Sequence, residues 1–373
     1  MRWLGIAVVA TASALTGALF ADFDEAAEPY SPVPVSPPAS GPTQSVVLVT
    51  LDGVRAREVF LGADTSLAGP SGLPSWARGG AALLLPNMHR LFFEGGAALG
   101  DPRMSPGIAA SGSRHVSLPG YLEIMTGAAT ECRNNDCIPR PTETIADAIA
   151  GSFGAAGSAS VFSSWEVIAR AATSKAPKQS GDGLVSVHAG REGSDTMAPF
   201  PGNGAYRPDS ATWERAKAAL EGEMPRFLWI ALGDTDEWAH RHDYMGYLRA
   251  LRAADRALGE LASILYAKDS EGQGAMLIVA TDHGRDEGFA DHGGEASAPV
   301  WMLARGPGIA VTGAIAAKRP RFLRDIAPTI RAALGMPEQE ATAGSGEVID
   351  EILRPGALAR AAAAPRSARS IAF

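Results

Sequence analysis

Val46-Val47-Leu48-Val49-Thr50-Leu51-Asp52 decides how this chain folds. An unbroken apolar, β-branched run this short predicts a strand buried on both faces, the kind found inside parallel sheets. Comparable runs recur at 160–162, 227–232, 275–280 and 300–304. Helical patterns fall between them, at 86–94, 118–125, 142–150, 208–220, 244–266 and 322–334. Strands alternating with helices predict an α/β fold, a doubly wound and mainly parallel central sheet with helices on both faces. In such sheets ligands bind beyond the carboxyl ends of the strands, which is where the first run delivers Asp52.

Two further runs end in the same way. Leu232 leads into Gly233-Asp234-Thr235-Asp236-Glu237-Trp238-Ala239-His240, and Ala280 into Thr281-Asp282-His283-Gly284, with Asp291-His292-Gly293 just behind. Taken alone, Asp52 reads as a turn or helix-cap residue. Asp236 and His240 stand four apart and share one helical face, a pattern also common on solvated helices. Asp234 competes with Asp236 for the same role. Asp282 and His283, side by side at a strand exit, are costly to bury unless something pairs with them, and a metal would. His292 sits in a Gly-rich loop able to bend back over the sheet. Carboxylates and imidazoles together suit Zn²⁺ better than Mg²⁺ or Ca²⁺, which prefer oxygen alone. His89, His115, His188 and His242 lack such a setting and are expected at the surface or behind the ligands.

Ser117-Leu118-Pro119-Gly120-Tyr121 begins a helix, with Pro at an early position. Ser117 could simply cap that helix. Beside metals the same placement suits a nucleophile, because a helix N-terminus favours negative charge and a divalent cation lowers the pKa of a hydroxyl.

The bulk numbers are permissive. The chain has 373 residues, 46% hydrophobic and 20% charged, which suits one large globular domain or two ordinary ones. Its net charge of −8 argues against a general affinity for nucleic acid or anionic lipid. Residues 1–21 resemble a signal peptide: Arg2, an uncharged stretch at 3–20, and Ala21 ahead of Asp22. An uncleaved anchor is the other reading; with cleavage, no stable membrane insertion is expected. Residues 22–44 read as a Pro-rich linker, 45–340 as the folded domain that carries the metal-type residues, and 163–206 as a loop insertion near the substrate entrance. Residues 341–373 read as a mobile Ala/Arg-rich tail. The only cysteines, Cys132 and Cys137, share one short loop and are expected to form a disulfide, consistent with a periplasmic or extracellular location. Oligomeric state is not legible.

The ordered set resembles the alkaline phosphatase superfamily, and within it the type I phosphodiesterase/nucleotide pyrophosphatase-like branch. The residues that carry the resemblance are Asp52, Ser117-x-Pro119 with Thr126-Gly127 after it, Asp236-x-x-x-His240, Asp282-His283-Gly284 and His292-Gly293, spanning about 45–336. The resemblance implies two Zn²⁺, one held by Asp236, His240 and His292, the other by Asp52, Asp282, His283 and Ser117. It also implies hydrolysis of a small-molecule phosphate ester through a phosphoseryl intermediate. That branch usually has Thr as nucleophile and an Asn soon after; here Ser117 and Gly120 stand there. Monoesters would want an added cation, for which Arg114, Arg133 and Arg285 are the nearest candidates. The sulfatase branch wants Arg where this chain has Tyr121. Rival expectations are a phospho- or phosphoethanolamine-group transferase, a sulfatase-type hydrolase, and a non-catalytic exported metal-binding protein.

Overall fold

The computed structural model describes residues 30–34, 41–154, 158–174, 185–192, 202, 205–270, 274–286 and 288–357. The segments read as signal peptide, most of the linker and the end of the tail, 358–373, lie outside the described residues.

Strand β1 (Ser45–Leu51) is buried at every position. It pairs in parallel with β6 (Phe227–Leu232) on one side and β7 (Ala275–Ala280) on the other. The other strands of the main sheet are β2 (Ala97–Leu99), β4 (Ala159–Ser163), β5 (Val185–Ala189), β9 (Met302–Arg305) and β10 (Gly313–Ile315). They complete the order β10-β2-β9-β7-β1-β6-β4-β5. From β7 to β5 all pairs are parallel, and β9 runs antiparallel to both its neighbours. A small second sheet joins β3 (Ile108–Ala109), β8 (Pro299–Val300) and β11 (Arg321–Phe322).

Alternate residues of β1 enter separate cores, as the two-residue strand period requires. Val46 and Leu48 pack with α1 (Ser117–Thr126), α2 (Ile145–Phe153) and α6 (Ile326–Ala333); Val47, Val49 and Leu51 pack with α3 (Asp209–Glu221) and α5 (Tyr244–Ser270). The doubly wound, mainly parallel expectation holds. Each core face is apolar over three adjacent strands, so β1, β6 and β7 end side by side.

The structure departs from the sequence reading in five places. The run at 300–304 breaks into β8 and β9, which belong to different sheets. β2, only three residues long, carried too little periodicity to be seen. The supposed loop insertion contributes the edge strand β5 to the main sheet. The folded part also continues past 340, because Ile349, Ile352 and Leu353 are buried in the α1/α2/α6 core. Tyr30, within the expected linker, likewise docks on α5, with Arg252 and Arg256 over its ring and its hydroxyl donating to Asp255 at 2.5 Å. Among the described residues no helix is long and apolar enough to cross a membrane.

Gly120 sets how closely α1 approaches the sheet. A Cβ built there would lie 2.2 Å from the carbonyl oxygen of Asp282. Backbone cannot yield as a side chain would, so Gly120→Ala should push α1 away from the end of β7. The expected cost is about 1–3 kcal/mol by overpacking, with turnover falling as Ser117 moves. Thermal melting and kcat read the two effects; wild-type values for both would mean that this contact is looser than described.

Candidate metal centre

Asp52 follows β1, α4 (Asp234–His240) follows β6, and Asp282-His283 follows β7, so three neighbouring strand ends deliver the predicted ligands to one place. Ligand atoms of Asp52, Asp282 and His283 lie mutually within 4.8 Å, as do those of Asp236, His283 and His292. His240 joins the second group: its Nε2 is 2.9 Å from Asp236 Oδ2 and 3.1 Å from His292 Nε2. The i, i+4 spacing therefore does put Asp236 and His240 on one face. Asp234 does not compete, because it is locked with Asp209, each carboxylate accepting from the other's backbone amide.

Ser117 is the first residue of α1, and the capping position falls to Val116, whose backbone is extended. The hydroxyl is therefore not used as a cap. It lies 3.3 Å from Asp52 Oδ1 and 3.3 Å from His283 Nε2, 2% exposed. The helix end is only partly open to an anion, since the Leu118 amide already donates to Asn135 Oδ1 at 2.9 Å. Asn135 sits in the loop closed by the Cys132–Cys137 disulfide, which forms as expected. Arg170 steadies that loop by donating to the carbonyls of Asn135 and Cys137.

Asp282 gives the clearest test of whether these residues fit a metal. It is fully buried, and its Oδ2 has no hydrogen-bond partner, although His283 Nε2 is 3.4 Å away. An orphaned carboxylate oxygen in the interior is costly unless a cation faces it. The imidazoles are prepared as well. His283 Nδ1 meets the Gly284 carbonyl at 2.8 Å and His292 Nδ1 the His115 carbonyl at 3.2 Å. A carbonyl can only accept, so the proton sits on Nδ1 in the neutral ring and Nε2 is left to ligate. The residues present fit a divalent metal, and three imidazoles among carboxylates describe a nitrogen-rich donor set.

Electrostatics agree. Burial, then the nearby Asp52 charge, raises Asp282 well above the usual carboxylate range. Burial disfavours a charged His283, but Asp282 and the Asp52 hydrogen bond overcome it and push the ring up to about 9. Both shifts have one cause: crowded buried carboxylates favour positive charge beside them. Burial also opposes ionisation of Asp236, yet Arg285 and the hydrogen bond from His240 hold its carboxyl far below the usual range. Burial and the His283 charge bring His292 down to about 3. The hydrogen bond to Asp236 raises His240.

Neither arginine expected to meet substrate stands as a simple clamp. Arg114 is exposed, its guanidinium beside Gly293, next to His292. Arg285 is engaged at all three nitrogens: Nε donates to the Phe289 carbonyl, Nη2 to the Ala290 carbonyl, and Nη1 pairs closely with Asp236 Oδ1. Arg133, on the disulfide loop, is exposed.

Three contributors were not seen in the sequence. Tyr121 donates to Asp52 Oδ2 at 3.1 Å, and Thr235 donates to the Asp52 carbonyl at 2.6 Å. Tyr121 lies one helical turn beyond Ser117, so the i, i+4 rule could have found it. Asn135 is brought in by tertiary folding, for which the sequence carries no local signal. His115, expected at the surface or behind the ligands, is 3% exposed and stands behind His292 through its carbonyl.

Comparison with known proteins agrees with this geometry. The family model described as the Metalloenzyme superfamily matches residues 207–338, a region that holds Asp236, His240, Asp282, His283 and His292. The phosphopentomutase of Deinococcus radiodurans is 34% identical over 127 residues, 33% of this chain. That of Chelativorans sp. is 39% identical over 102 residues, 27% of this chain. The matched stretches span only 29% and 22% of those enzymes. Among solved structures, a phosphonate monoester hydrolase from Silicibacter pomeroyi superposes with a TM-score of 0.53 at 14% identity, covering 88% of this chain and 78% of the other. A 2-O GAG sulfatase does so with a TM-score of 0.52 at 13% identity, covering 82% and 73%. At such identities the structural likeness speaks for the fold. The fold, the metalloenzyme match over 207–338 and the order of the clustered ligands fit the resemblance to the alkaline phosphatase superfamily that the sequence carries.

Proposed function

We propose that the protein is an exported, two-zinc phosphoric-ester hydrolase with Ser117 as its nucleophile. The observation that carries this reading is the Ser117 hydroxyl: buried, unused as a cap, and 3.3 Å from both Asp52 and His283 within the ligand cluster. A non-catalytic metal-binding protein has no use for a hydroxyl so placed. Asp236, His240 and His292 would hold one metal, and Asp52, Asp282, His283 and Ser117 the other. Bound zinc ions would supply Lewis acidity, making the serine oxygen more nucleophilic and offsetting charge on the departing alcohol oxygen.

The protein's own residues do the positioning. Asp52 Oδ1 accepts the Ser117 hydrogen bond and orients the oxygen, while Tyr121 and Thr235 fix Asp52 in turn. Ser117 Oγ gives its proton to solvent and attacks phosphorus, the bond from phosphorus to the alcohol oxygen breaks in line, that oxygen takes a proton from solvent and leaves as the alcohol, and the phosphoryl group rests on Ser117. Water then attacks the phosphoseryl ester and frees the hydroxyl. A disulfide-closed loop beside the nucleophile suits an oxidising compartment, so periplasmic or extracellular residence belongs to the same proposal.

The test is a side-by-side assay of zinc-loaded protein on aryl phosphate monoesters, diesters and aryl sulfates. Phosphate-ester turnover should exceed sulfate turnover by at least about a hundredfold, the scale on which a site separates near-isosteric substrates. Faster sulfate release would turn the assignment to sulfuric esters. Phosphoryl transfer to an added alcohol in preference to water would make the protein a transferase.

A further inference from the structure

Arg285 is 4% exposed, two residues beyond His283, and spends its guanidinium in three directions. Nε and Nη2 hold the carbonyls of Phe289 and Ala290, and Nη1 holds Asp236 Oδ1. The loop it grips is the one that carries His292. Phe289 gives that loop a second anchor. Its ring meets Tyr244 and Tyr247 edge-on at 5.0 and 4.9 Å, and its φ of 73° is one that aromatic residues rarely adopt. A backbone held in that conformation needs its surroundings to enforce it, and Arg285 takes the Phe289 carbonyl itself. Asp236 Oδ2 faces His240 at 2.9 Å, while Oδ1, which takes the Arg285 hydrogen bond, lies 3.9 Å from His292 Nε2.

We infer that Arg285 is a positioning residue: it ties Asp236 to the His292 loop and so assembles the Asp236/His240/His292 metal site without touching substrate. The inference rests on the two-metal reading above and assigns a cause to one of its halves. Asp52, Asp282, His283 and Ser117 receive none of their hydrogen bonds from Arg285, so the other site should survive its loss.

Calorimetric titration of metal-free, full-length protein with zinc tests it. Wild type should bind two ions. Arg285→Met should keep one at wild-type affinity and bind the other roughly 10–100-fold more weakly, the usual effect of removing a group that orients ligands. Arg285→Lys restores the charge on Asp236 but cannot hold two carbonyls as well, so its loss should be smaller; it also serves if Arg285→Met does not fold. Two ions bound by Arg285→Met at wild-type affinity, with KM alone raised, would make Arg285 a substrate contact and overturn the inference. Uniform weakening at both sites would also overturn it, by showing a merely structural role. A wild type that binds one ion or none overturns the two-metal reading and this inference with it.

Discussion

Ser117→Ala will leave the protein folded and able to bind metal but will lower phosphate-ester turnover by at least about 10³-fold, some 4 kcal/mol of barrier. On the proposed mechanism the loss is large because the hydroxyl is the atom that changes bonds, and no neighbour can replace it. Cys132 and Cys137 are joined to each other, and Thr126 donates its hydroxyl to the Leu122 carbonyl. The fold should be indifferent. Val116 rather than Ser117 holds the capping position, and without the hydroxyl Asp52 Oδ1 still faces His283 Nε2 at 3.3 Å. Stability should therefore change by less than about 1 kcal/mol, as for other substitutions that open no large cavity. Initial rates on an aryl phosphate, with zinc content and melting temperature measured on the same sample, check all three claims. Turnover within tenfold of wild type would remove Ser117 as nucleophile and leave a water-based reaction in its place.

The candidate site was legible because its residues obey local rules. Asp52, Asp236 and Asp282 each follow an apolar strand, His240 is one turn beyond Asp236, and Ser117 opens a helix with Pro119 behind it. Strand-end chemistry survives in sequence because a fully buried parallel strand must be a continuous apolar run. What the sequence concealed depends on contacts between distant segments. Arg285 looked like a cation free for substrate, and only the fold shows its partners to be two carbonyls and Asp236. Asn135 reaches Leu118 across 17 residues through a disulfide loop. The same limit explains the fold errors. β5 lies in a Gly- and Ser-rich stretch yet pairs along all five residues with β4, so neighbouring backbone supplies the order that its composition withholds. Ile349 and Ile352 reach the core from a segment whose average composition resembles a tail.

Stripping the metal should cost stability, and the cost should grow with pH. A metal that binds the folded chain at about a thousand times its Kd adds about 4 kcal/mol. At roughly 2–4 °C per kcal/mol for a domain of this class, chelation should lower the melting temperature by on the order of 10 °C. The pH dependence follows from His283, which metal-free protein holds at about 9 against an ordinary value of 6.5. Between those values the folded metal-free chain binds more protons than the unfolded chain. Its stability from this group is complete below pH 6.5 and lost as pH rises through 9, a change on the order of 3 kcal/mol. Asp282, raised by its burial and by the Asp52 charge, acts in the same direction. Metal binding displaces these protons, so the loaded protein lacks that decline. Chelated and zinc-loaded samples melted in parallel from pH 6.5 to 9 should therefore diverge, and most other titrating groups cancel in the difference. Curves that stay parallel or converge would mean that His283 and Asp282 are not where the metal binds, since only a ligand that competes for their protons can separate the two forms.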